Sequence, residues 1–189
     1  MLVRMLLLLL PFGVATLAAD DDDGRILFSF ENADSAKQWQ SVNDGVMGGL
    51  SEGQLKINDD KTMEFFGMLS LENNGGFASV RTRPKKLELK KGDTLVVRVR
   101  GDGRTYNFNM YVPGRRTAFS WRADFQTKKD EWIEVELPLD KFEATSFGRV
   151  VQNQTLDPNE INGLGILLGD KKSGSFKLDV DWIKVKKSE

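Results

Sequence analysis

Histidine and cysteine are both absent from the 189 residues. Without them a Ser-His-Asp or Cys-His nucleophile cannot be assembled, and zinc fingers, thiolate metal sites and disulfides are excluded. Any metal would have to be a hard cation held by oxygen ligands. An excess of either charge is also lacking, because 27 Lys and Arg meet 28 Asp and Glu for a net charge of -1. That balance offers no field to hold a phosphate backbone, so nucleic acid is excluded as a partner. An enzyme built without His or Cys would need a pair of carboxylates. Asp124 with Glu64, or Asp44 with Asp102, are such pairs on paper, but nothing in their spacing selects them. A non-catalytic protein is predicted.

What is present begins with a targeting pattern. Arg4 precedes an apolar run over residues 5–10, Pro11 and Gly13 break it, and Thr16-Leu17-Ala18-Ala19 supplies small residues for cleavage. Residues 1–19 thus read as a signal peptide, 20–24 as an acidic linker and 25–187 as one folded domain. The apolar run is shorter than the roughly 20 residues a membrane span needs. An exported protein follows, periplasmic or extracellular, with no transmembrane segment after cleavage. The lack of Cys agrees with an envelope protein that uses no disulfides.

Beyond Gly24 short alternating segments are divided by turn residues, and no long stretch carries a 3.6-residue period. Ten strands are predicted, over residues 26–30, 50–57, 62–69, 77–83, 94–100, 104–112, 117–125, 132–137, 161–168 and 176–183. Residues 34–39 read as one helical turn capped by Asp34. Regular turns and short strands imply an all-β sandwich of two antiparallel sheets. Alternation sets Tyr106, Phe108 and Met110 against Asn107, Asn109 and Tyr111, and Trp121, Ala123 and Phe125 against Ser120, Arg122 and Asp124. Arg98 and Arg100 likewise oppose Val97 and Val99, and Arg81 opposes Val80. If these strands share one sheet, its outer face is a field of Arg, Asn and Asp, either an ordinary solvated face or a binding platform. Trp132 and Trp182 follow the apolar alternation and read as buried, leaving Trp39 and Trp121 undecided.

The most distinctive segment runs Trp39-Gln-Ser-Val-Asn-Asp-Gly-Val-Met-Gly-Gly-Leu-Ser51, where three glycines within five positions suggest a backbone with positive φ. Val46 and Met47 suggest a loop pinned onto the core. No Lys-Ser/Thr follows and no helix begins there, so it is not a P-loop. Together with Asn73-Asn-Gly-Gly-Phe-Ala-Ser-Val-Arg81, Arg98-Val-Arg-Gly-Asp-Gly-Arg-Thr-Tyr106, Glu131-Trp132, Phe147-Gly-Arg149, Ile161-Asn-Gly-Leu-Gly-Ile-Leu-Leu-Gly-Asp-Lys171 and Asp181-Trp-Ile183, it resembles the complex I intermediate-associated protein 30 family. The best-known members of that family are mitochondrial assembly factors for NADH:ubiquinone oxidoreductase.

The resemblance implies a galactose-binding-like β-sandwich, or jelly roll, with a non-catalytic interaction or assembly role toward a partner protein. A module that binds carbohydrate is the alternative, so the partner is an envelope protein or a glycan. Candidate binding residues are Asn43, Asp44, Asn74, Arg81, Arg100, Arg104, Asn107, Arg122 and Asp124. The Gly and Asn of the two loops among them have a second reading, as shapers of tight turns. The fold type also suggests a structural calcium, for which Glu31, Asp179 and Asp181 supply hard oxygen donors.

Overall fold

The computed structural model describes residues 24–114 and 119–187. The expected signal peptide over residues 1–19 lies outside them. Thirteen strands follow one another: β1 Arg25–Ser29, β2 Trp39–Ser41, β3 Glu52–Ile57, β4 Met63–Leu69, β5 Ala78–Thr82, β6 Thr94–Arg100, β7 Thr105–Tyr111, β8 Phe119–Gln126, β9 Trp132–Pro138, β10 Glu143–Ser146, β11 Arg149–Val150, β12 Gly163–Leu168 and β13 Gly174–Lys186. The first sheet has the order β3-β4-β13-β6-β9, with β1 beside the second half of β13. The second has the order β11-β10-β8-β7-β12-β5-β2. Every strand pairing is antiparallel, as expected of a jelly-roll sandwich.

The strands not foreseen are the short β2, β10 and β11. The helical turn is a 3₁₀ turn over Ala33–Gln38; Asn32, not Asp34, stands at its N-cap and makes no side-chain cap. Strand β12, nearly all apolar, runs between β7 and β5 as a central strand. Its Leu164, Ile166 and Leu168 face the other sheet and are wholly buried, together with Leu95, Val97, Val99, Tyr106, Phe108 and Met110. These inward faces make one continuous core.

Two expectations about faces are corrected. Arg98 and Arg100 lie on β6 of the first sheet, whereas Arg81, Asn107 and Arg122 lie on the second. The inferred field of Arg and Asn is therefore split between opposite sides of the sandwich. The tryptophans are also exchanged, since Trp39 and Trp121 are core residues and Trp132 and Trp182 are only half-buried. Strand β13 carries a bulge between Val180 and Trp182, so Asp181 has no partner on β6 and the inward set shifts from Val180 to Ile183. Trp182 is thereby turned outward. Trp132 pairs with Arg100 on the outer face and is flanked there by the guanidinium groups of Arg98 and Arg100, 5.0 and 4.9 Å from its ring centre.

Replacing the fully buried Phe108 by Ala is expected to cost about 3–5 kcal/mol of stability, read from urea denaturation. A loss below about 1 kcal/mol would mean that this ring does not bridge the two sheets.

Candidate functional site

A groove of about 590 Å³ crosses the outer face of the second sheet. Its floor is set by strand register. Arg81, Gly165, Asn109 and Arg122 lie in one row across β5, β12, β7 and β8. Ser79, Leu167, Asn107 and Asp124 form the neighbouring row. The side chains alternate, so the residues opposite the core-facing set of each strand come together here. Val46, Met47, Gly76 and Phe77 wall one side; Phe147 and Gly148, on the turn between β10 and β11, wall another. Val46 is 75%, Met47 52% and Phe147 66% exposed, so the rim is apolar and open to solvent.

The floor is internally braced. The Tyr111 ring lies across Gly165, where an added Cβ would stand 3.0 Å from its hydroxyl and from Cε2. The Arg81 guanidinium carbon lies over that ring, 5.0 Å from its centre, and Arg81 Nε donates to Ser79 Oγ at 3.3 Å. Burial pushes the Tyr111 hydroxyl above its ordinary pKa, with the Arg81 cation and a hydrogen bond to Asn109 opposing it. Asn107 donates to Asp124 at 2.6 Å, Ser120 donates to Asn109 at 3.3 Å, and Arg122 pairs with Asp124 at 3.3 Å.

One wall depends on a buried carboxylate. Asp44 is wholly buried and accepts from Ser51 N at 2.9 Å, Ser51 Oγ at 2.5 Å, Gly76 N at 2.6 Å and Phe77 N at 3.2 Å. Ser51 Oγ in turn accepts from Ser70 N at 3.0 Å. Burial alone would raise the pKa of Asp44, but these donors outweigh it and hold the carboxyl below its ordinary value. The glycines around it serve close approach more than positive φ. Gly48 alone of Gly45, Gly48 and Gly49 has φ in the left-handed region, at 87°. A Cβ on Gly49 would stand 2.4 Å from Asp44 Cγ, and one on Gly75 would stand 2.7 Å from Oδ2. The loop is thus pinned by Asp44, and Val46 and Met47, expected on the core, are left outside.

Of the candidate binding residues, Arg81, Asn107 and Arg122 line the groove and Asp124 flanks it. Asp44 is buried beneath a wall and cannot touch a ligand. Asn43 donates to the Gly53 carbonyl at 3.0 Å, and the exposed Asn74 has φ 59°, so both shape their loops. Arg100 lies on the other sheet against Asp179, at 2.8 and 3.0 Å. Arg104 grips both oxygens of Asp170, at 3.0 and 2.6 Å, in a pair that is nearly enclosed. Sequence reasoning missed Thr145 and Phe147 because β10 and β11 carry no clear alternation, and missed Val46 and Met47 as rim residues.

The expected calcium ligands do not fit an ion. Glu31 pairs with Lys61 at 3.0 Å, Asp179 with Arg100, and Asp181 with Arg98. The bulge at Asp181 breaks the alternation that would have set it beside Asp179. Among the described residues no three His, Cys, Asp or Glu are placed to hold a metal.

The chain is thus a two-sheet β-sandwich with a walled groove across one sheet. The chain belongs to the family Complex I intermediate-associated protein 30 (CIA30), which it matches over residues 28–180. Complex I intermediate-associated protein 30, mitochondrial, of Mus musculus is 28% identical over 87% of this chain and 56% of its own length. The protein of the same name from Drosophila melanogaster is 26% identical over 84% of this chain and 61% of its own. The chain thus spans little more than half the length of these relatives. Export is corrected by their names, which point to a mitochondrial location. The fold is also that of a family 11 carbohydrate-binding module from Clostridium thermocellum, solved with a β-1,3-1,4-mixed-linked tetrasaccharide, with a TM-score of 0.64 and 18% identity over 87% of this chain and 95% of that one.

Asp44→Asn turns an amide toward donors and is expected to cost about 2–3 kcal/mol of stability. Because folding holds the Asp44 carboxyl below the pKa of an ordinary Asp, its contribution is fully present above the unfolded pKa and is lost as pH falls through the folded one. Urea midpoints measured down through this range should fall more steeply for the native chain than for Asp44→Asn. Equal slopes would remove Asp44 as the pin.

Proposed function

We propose that this chain is a non-catalytic interaction domain that holds an extended segment of a partner polypeptide in the groove on its second sheet. The names of its relatives make a component of a complex I assembly intermediate the favoured partner. The observation that carries this reading is the combination of a polar floor with an apolar rim. Val46, Met47 and Phe147 stand exposed on turns, where water would otherwise select polar residues. Apolar side chains at the rim and hydrogen-bonding groups on the floor match a polypeptide, whose side chains are mixed and whose backbone carries donors and acceptors at every residue.

A second reading, a glycan, draws on Asn107, Asn109 and Tyr111, since amides beside an aromatic ring suit hydroxyl-rich ligands. Two of the three aromatic side chains that line the groove argue against it. The Tyr111 ring is covered by the Arg81 guanidinium, and Phe147 stands on a turn at the edge.

The test is a pull-down from solubilised mitochondrial membranes with the native chain and with Val46→Ser/Phe147→Ser, alongside an array of neutral oligosaccharides. Loss of captured complex I components by the double variant, with an unchanged thermal midpoint, is the expected result. Undiminished capture would reject the groove as the site, and oligosaccharide binding that survives the rim changes would favour the glycan.

A further inference from the structure

The chain has no cysteine, so methionine is its only sulfur-bearing residue type. Of its 6 methionines, Met63 and Met110 are wholly buried in the core, whereas Met47 is 52% and Met68 51% exposed. Met1 and Met5 lie outside the described residues. The two exposed thioethers stand in different places. Met68 is on β4 of the first sheet, between Glu52 of β3 and Ser175 of β13. Met47 ends the short 3₁₀ turn over Asp44–Met47 and lines the groove. Among the described residues of that lining it alone carries sulfur, and its companions on the apolar rim, Val46 and Phe147, are hydrocarbon.

A thioether reacts with peroxides, and exposure governs which methionines are reached. A lone pair on the sulfur attacks one peroxide oxygen. The S–O bond forms as the O–O bond breaks, the second oxygen leaves as water, and the sulfur is oxidised by two electrons as the peroxide is reduced. The product, a sulfoxide, is polar where the thioether was apolar. At the rim that change falls where a partner's apolar side chains must shed their water. A sulfoxide oxygen covered there without a hydrogen bond opposes binding, whereas the thioether favours it. The fold beneath is untouched, because Asp44 holds the loop to Ser51, Gly76 and Phe77, and Met47 is not a member of the core. Resting on the reading of the groove as a polypeptide site, we propose that Met47 is a reversible oxidation site through which hydrogen peroxide releases the bound segment. A sulfoxide reductase restores the rim: two electrons from a dithiol, which becomes a disulfide, reduce the sulfur, and the oxygen leaves as water.

The test treats the full chain with hydrogen peroxide, removes the peroxide, and follows each methionine by peptide mass spectrometry. The pull-down from solubilised mitochondrial membranes is then repeated. Met47 is expected to gain its oxygen well before Met63 and Met110, with the thermal midpoint unchanged. Capture of complex I components should fall about tenfold and recover after incubation with a sulfoxide reductase and a dithiol. Met68→Leu should show the same fall and recovery. For Met47→Leu, capture is compared only with that variant's own value before peroxide, and the two should agree. An equal fall in Met47→Leu, a midpoint that drops as Met47 is oxidised, or capture by the native chain that outlasts oxidation of Met47 would each overturn this inference. The polypeptide reading would then still stand on the loss of capture in Val46→Ser/Phe147→Ser. Capture that ignores that double variant before any peroxide is added would overturn the reading, and the inference with it.

Discussion

One wall of the groove on the second sheet depends on Asp44, a carboxylate kept out of water. The chain reaches it from three directions: through its own loop, through Ser51 at the entry to β3, and through Gly76 and Phe77 before β5. Four hydrogen bonds to one buried carboxylate compensate its desolvation and tie loops that are far apart in sequence. The consequence is geometric. With the loop held from beneath by a polar group, its apolar side chains need not fold inward to anchor it, and Val46 and Met47 remain at the rim.

The two outer faces of the sandwich differ in how their charges are spent. On the first sheet Arg98 meets Asp181, Arg100 meets Asp179, Lys186 meets Glu136, and both Lys56 and Lys177 meet Glu64. Trp132 lies under two of those cations. Such a face satisfies itself and makes few demands on a partner. The groove face has guanidinium and amide groups on its floor and uncovered aliphatic and aromatic groups at its edge. Family membership agrees with an interaction role, while the likeness to a carbohydrate-binding module concerns the fold.

Much of the fold was legible in the sequence because period-two alternation survives wherever one side of a strand is buried. Tyr106, Phe108 and Met110 against Asn107 and Asn109 show it, as does the apolar run of β12. What alternation cannot reveal is which strands share a sheet, and that is why Arg100 was grouped with Arg81. A single inserted residue, Asp181, was enough to invert the reading of Trp182 and to dissolve the proposed calcium site. In the candidate site, Arg81, Asn107 and Arg122 were found from their positions on strands. Asp44 was noticed for its loop but given the wrong task, because a carboxylate among glycines reads as a ligand until the donors around it are seen. The close approaches at Gly49 and Gly75 are the trace it leaves in the sequence.

The most direct measurement is site-specific photo-crosslinking in intact mitochondria. A photoreactive residue would replace Met47 at the rim of the groove in one variant and Glu134 on the outer face of the first sheet in another. Crosslinks to a polypeptide from position 47, and none to the same polypeptide from position 134, are the result predicted by a groove that holds its partner. The reverse pattern would contradict it.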